Sequence, residues 1–138
     1  MVSGARFFIS ARGRIARFDR EYNYQSEMKS TSGSSVVIIL TTLSASADAT
    51  SFARALVSEQ LAACVNVLPP MTSLYRWKGE VEEDREQQLV IKTTEDRVGA
   101  IEARFRELHP YELPELIILD VKASAPYLAW IAASVAAT

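Results

Sequence analysis

Between Leu74 and Glu86 the sequence reads LYRWKGEVEEDRE, and one dipeptide within it constrains the surrounding chain more than any other. Tyr75 and Trp77 alternate with Leu74, Arg76 and Lys78, the period-two pattern of a strand with two unlike faces. Gly79 supplies the positive φ that a two-residue hairpin loop requires, so Lys78-Gly79 joins two strands and sets Trp77 opposite Glu80. A shorter apolar strand, Ala62–Val67, precedes the hairpin and is stopped by Pro69-Pro70. The outgoing arm is acidic and then turns apolar at Leu89-Val90-Ile91. A hairpin of this length cannot be covered by a chain of 138 residues, so its tip is expected to project and to be paired or covered by another copy.

The flanking segments supply the rest of a fold. Val36–Leu40 is a continuous β-branched and apolar run, which predicts a strand buried on both faces. Ser46 is suited to cap the following helix, with Asp48 in its first turn, and Ala49, Phe52, Ala53, Leu56, Val57 and Gln60 form its inward stripe. A second helix is predicted after Thr94, with Glu95 and Asp96 at its head, Arg104 and Arg106 towards its tail, and Val98, Ile101, Phe105 and Leu108 facing inward. Pro110 ends it, Leu116–Val121 reads as another strand, and Pro126 opens a last helix carrying Tyr127, Trp130, Ile131 and Val135. The order strand, helix, strand, strand, helix, strand defines an α+β, ferredoxin-like split βαβ sandwich, extended by a long β-hairpin and a C-terminal helix. Two helices cover only one face of such a sheet. Strands apolar on both sides then require another subunit over the second face, and so an obligate oligomer.

Residues 35–138 account for that domain. Residues 1–34 are expected to be a disordered extension: four arginines precede the first acidic residue, Asp19, and a polar KSTSGSS segment follows Met28. An Arg-rich, acid-poor opening is also the composition of an organelle transit peptide, and a start at Met28 is a further reading. The charge is uneven, net +3 over residues 1–30 and net −5 over the remainder, but the whole chain at −2 gives no nucleic-acid signal. One cysteine, Cys64, and one histidine, His109, exclude a disulfide framework and a closed Cys/His zinc cluster within one chain. No apolar run approaches the roughly 20 residues of a membrane span, so a cytoplasmic protein without membrane or nucleic-acid partners is expected.

ACVN, then TSLYRWKGEVEED, IKTT, HPYELPE and a late YLAW resemble, in order and spacing, the signature segments of the CutA family of divalent-cation tolerance proteins. The resemblance spans residues 36–135. It implies a ferredoxin-like homotrimer similar in architecture to the PII signalling proteins, associated with tolerance of copper and other divalent cations and with no established reaction. The expected function is therefore that of a trimeric protein of the divalent-metal response, with weak binding of Cu²⁺ or another divalent cation. The alternative is a PII-like signalling or scaffold trimer that takes a small anionic ligand or a protein partner in its intersubunit clefts.

The residues available for either role are few. The family's copper proposals invoke a cysteine at the first strand's end and histidines before the PYE-like segment; here those places read Leu40-Thr41-Thr42 and Leu108-His109, leaving His109 as the sole metal candidate. A single imidazole at a helix end equally reads as a capping or packing group, and Cys64 in an apolar strand reads as a small hydrophobe. Glu80, Glu82, Asp84 and Glu86 share one strand face, a ladder too divergent to cage a hard cation. Lys92, Tyr111, Glu112 and Glu115, with Trp77 near the hairpin tip, are the candidate lining of an intersubunit cleft, and a network that merely fixes loop and interface is the competing account. No nucleophile–base set or phosphate-cradling glycine loop marks the chain as an enzyme.

Overall fold

In the computed structural model the described residues are 35–136 and the backbone of two short strands, β1 (Phe7–Ile9) and β2 (Ile15–Arg17), which pair antiparallel. The chain divides into two units, residues 1–31 and 32–138. The expected extension over residues 1–34 lies, those two strands apart, outside the described residues.

The second unit runs β3 (Val36–Ser44), α1 (Ala49–Ser58), β4 (Cys64–Val67), β5 (Met71–Trp77), β6 (Glu80–Thr94), α2 (Val98–Leu108), β7 (Ile117–Asp120) and α3 (Ala125–Val135), with one 3-10 turn, Glu95–Arg97, leading into α2. Strand order across the sheet is β4-β6-β3-β7, all antiparallel, which is the ferredoxin-like split βαβ topology. β6 is the spine. Its second half is held between β3 and β4, and its first half pairs with β5 from Glu86 to Glu80. β4 and β5 thus follow one another along the same edge of β6, parted at Pro69-Pro70 because proline cannot donate to the ladder. Lys78 and Gly79 both have positive φ, 49° and 85°, the type I′ geometry that matches strand twist, and Trp77 pairs with Glu80 as expected. Leu74 and Val81, each 68% exposed, mark the hairpin as projecting from the body.

Two helices cover one face of the sheet. Ile39, Leu43, Leu89 and Ile91 meet Phe52 and Leu56 of α1 and Ile101 and Phe105 of α2 in a single core. Each of those four sheet residues is a large apolar side chain removed from water, and such burial contributes about 1.5–3 kcal/mol apiece. Two details of the first helix differ from expectation. Asp48, not Ser46, is the N-cap, because its carboxylate accepts from the Ser51 amide three residues on at 3.0 Å. Val57 and Gln60 are not in the inward stripe: Val57, on the last turn, is exposed, and Gln60 lies beyond the helix end at Ser58. There the Leu61 amide bonds the Leu56 carbonyl and the Gln60 amide that of Val57, a Schellman termination that puts Gln60 at φ 57°.

The second face is covered in part from within the chain, which the order of elements alone did not disclose. α3 crosses its Val36–Thr94 end: Ile131 and Val135 are buried, and the Lys92 ammonium lies 5.8 Å from the Tyr127 ring centre. β7 receives no such cover. Ile117, Ile118 and Leu119 are 44%, 41% and 44% exposed in the protomer. The register places Ile117 beside Leu40 and Leu119 beside Ile38, on the face away from α1 and α2.

Candidate functional site

Further along that uncovered face the sheet, the hairpin and the loop after α2 border an open-mouthed cavity of about 770 Å³. Its floor is Thr42 and Ser44 of β3 and Asp84 and Glu86 of β6; Tyr75 and Trp77 form the hairpin wall. The opposite wall is the proline-bounded loop from Pro110 to Glu115. Alternation explains the convergence, because Ser44 pairs with Glu86 and Met71 with Glu86, so residues of one parity from three strands look the same way.

The loop is fastened at three points. The Tyr111 hydroxyl donates to Glu86 at 2.8 Å. Gln88 bridges sheet and loop, donating to the Thr41 carbonyl at 2.7 Å and to Glu115 at 2.9 Å. The Tyr111 amide donates to Nδ1 of His109 at 3.2 Å. An acceptor at Nδ1 places the ring proton on Nε2, which donates to the Thr42 carbonyl at 3.0 Å, with Thr41 Oγ1 at 3.2 Å. Phe52 and Phe105 pack on the same imidazole, and burial there pushes its pKa below the usual histidine value, against smaller opposing contributions from the Thr42 carbonyl and the Glu86 charge. His109 is therefore a neutral structural pin. Metal ligation by it would require one of its two engaged nitrogens to give up a bond.

Both tyrosines on the walls are held as donors. Hydrogen bonding to Asp84 pushes the Tyr75 phenol up to about 12. Burial, followed by the bond to Glu86, drives that of Tyr111 higher still. With the phenols protonated, Asp84, Glu86, Glu112 and Glu115 supply negative charge to the lining, and Arg85 is its sole base. That guanidinium is already engaged by Thr72 Oγ1 at 3.1 Å and the Pro70 carbonyl at 3.5 Å.

Of the residues expected to line an intersubunit cleft, Trp77, Tyr111, Glu112 and Glu115 line this cavity of the protomer, and Lys92 lies elsewhere on the same sheet face. Lys92 opposes Ile38 and Cys64 at the far end of the sheet face, under Tyr127, because β6 runs on for several residues past the cavity. Gln88 was overlooked. The signal for it was a polar Gln87-Gln88 pair interposed between the acidic and apolar halves of one strand. Among the described residues no group of three or more His, Cys, Asp or Glu side chains converges to hold a metal ion, and no helix is long and apolar enough to cross a membrane.

A ferredoxin-like domain whose open sheet face carries both a bare edge strand and a ligand-sized cavity is the class defined by these features. Residues 37–134 match the family described as CutA1 divalent ion tolerance protein. The divalent-cation tolerance protein CutA of Thermus thermophilus is 43% identical over 95 residues, 68% of this chain and 92% of that protein. The protein CutA homolog of Xenopus laevis is 50% identical over 80 residues, 57% of this chain, which spans about half (53%) of its length. Among solved structures, the PII-like protein CutA from Nostoc sp. PCC 7120 in apo form superposes with a TM-score of 0.67 at 35% identity, covering 72% of this chain and 97% of that one. The chain belongs to the CutA family.

Proposed function

We propose that this protein is a non-enzymatic homotrimer of the divalent-cation response, working in the cytoplasm, which binds a small ligand in the cavity on its open sheet face. The observation that carries the reading is the shared face: the cavity floor and the exposed Ile117 and Leu119 lie on the same side of the sheet. A neighbouring subunit that covers β7 extends over the same surface, so assembly and the closing of the site become one event. The names of the relatives supply the link to divalent-cation tolerance, and the PII-like description of the Nostoc protein supports a sensor or scaffold role.

Direct copper binding at His109 is the weaker form of this reading, because both ring nitrogens are satisfied internally. Sedimentation equilibrium tests the assembly, with a mass of three chains expected at micromolar and nanomolar concentrations. A folded monomer at either concentration would count against the proposal.

A further inference from the structure

Glu86 is 8% exposed, yet no lysine, arginine or histidine forms an ion pair with it among the described residues. Its one recorded partner is the neutral Tyr111 hydroxyl, on Oε2. Its other oxygen, Oε1, takes no donor from the described residues and stays open to the cavity, and a carboxylate largely removed from bulk water is stabilised by a positive charge brought to it. Glu86 lines the cavity, and so do Glu112 and Glu115 across from it and the ring of Trp77. The lining base, Arg85, is turned to Thr72 and Pro70, and Lys92 is elsewhere.

We infer that the cavity takes an organic cation, an ammonium or guanidinium group carried on an apolar body. The inference rests on the proposed ligand-binding role and names the class of ligand. A carboxylate floor beside aromatic rings is the chemistry that holds such groups, the charge meeting the acid and the carbon-bound hydrogens meeting the ring faces. A bare metal ion fits less well, since no three ligating side chains among the described residues converge on one point. A small anion fits least, because it would face Glu86, Glu112 and Glu115, while Arg85 is held by Thr72 and Pro70 and Lys78 lies over the Trp77 ring at the hairpin tip. A cavity of about 770 Å³ is also far larger than a metal ion and suits a body of drug-like size.

Calorimetric titration of the full-length assembled protein with agmatine, choline, citrate, ADP and CuCl₂ tests this. Saturable binding of agmatine or choline is expected, weakened at least about tenfold by Glu86→Gln, the loss of one charge-assisted contact. Should that variant not assemble, Glu112→Gln at an exposed loop position is expected to weaken the amine about threefold. Binding of citrate or ADP without either amine overturns the inference while leaving a ligand cavity in place. Silence from all five with the trimer intact overturns both, and means that the charge of Glu86 is met from within the assembly. Amine binding indifferent to Glu86→Gln and Glu112→Gln also overturns it.

Discussion

The Tyr111 hydroxyl and the Glu86 carboxylate meet at 2.8 Å, joining the loop after the second helix to the middle of the longest strand. This contact sets the width of the cavity, since Tyr111 stands on one wall and Glu86 on the floor. Behind it, His109 holds the same loop by its Nδ1 and β3 by its Nε2. His109 thus fixes the loop with neutral groups from behind, while Tyr111 and Gln88 fasten it by donating to the cavity carboxylates Glu86 and Glu115. The carboxylates are left facing the cavity.

That arrangement makes stability depend on pH near neutrality through His109. His109 has a folded pKa below 6.5, so the unfolded chain takes up its proton more readily. Its contribution is complete above the ordinary histidine range and is lost as pH falls from 6.5 through the depressed folded value. Thermal midpoints measured between about pH 7.5 and pH 5.5 should fall for the parent and fall less for His109→Gln, which removes the titrating group. Equal slopes would remove His109 from the account. In the same variant, Cu²⁺ affinity is expected to stay within about twofold of the parent, a difference well under 1 kcal/mol.

Assembly should be inseparable from folding. Ile117, Ile118 and Leu119 are less than half exposed, so covering what remains in water adds about 2–4 kcal/mol, a sizeable share of a domain's net stability. Sedimentation across a thousand-fold dilution should give one species of three chains. Leu119→Asp should yield unfolded or aggregated protein, because a charge at that position cannot be both desolvated and unpaired. Trp77→Ala should loosen the trimer by about 3–5 kcal/mol if neighbouring subunits complete the burial of its ring.

Two turn positions carry backbone strain of opposite consequence. Gln60 sits at φ 57°, where glycine is preferred, so Gln60→Gly should stabilise by roughly 1 kcal/mol. Gly79 sits at φ 85° with nothing within 4 Å of an added Cβ, so Gly79→Ala should cost about 1–2 kcal/mol from the backbone alone. Denaturant midpoints of the two variants should move in opposite directions, and a common direction would discard the strain argument.

A chain starting at Met28 is expected to melt and assemble like the full-length protein, since Val36 is the first buried apolar residue among those whose burial is described. Comparing the two by calorimetry and by mass in solution is sufficient. A midpoint lower by more than about 5 °C, near 1 kcal/mol for a domain of this size, would place the preceding residues in the fold.

Local patterns carried the elements. The Lys78-Gly79 turn, the two-sided strand Val36–Leu40, the stop at Pro110 and the proline-opened last helix are each written in a few neighbouring residues, because φ restrictions and side-chain periodicity act over one or two turns. The order of those elements was enough for the split βαβ topology, with the hairpin and extra helix in place. Helix ends were less legible. Asp48 displaced Ser46 as the cap because the choice depends on which carboxylate reaches the Ser51 amide, a matter of approach geometry. The site was legible only as a set of residue types. Trp77, Tyr111, Glu112 and Glu115 are adjacent to turns and prolines and share the protomer's cavity, whereas Lys92 lies outside it. In a continuous strand six residues separate Lys92 from Glu86, about 20 Å of extended chain, and only the pairing register decided which of them shared the cavity. Tertiary structure likewise decided that both nitrogens of His109 would be used internally and that the most buried acid of the ladder would be Glu86, since burial depends on what folds back across a residue and not on its neighbours in the chain.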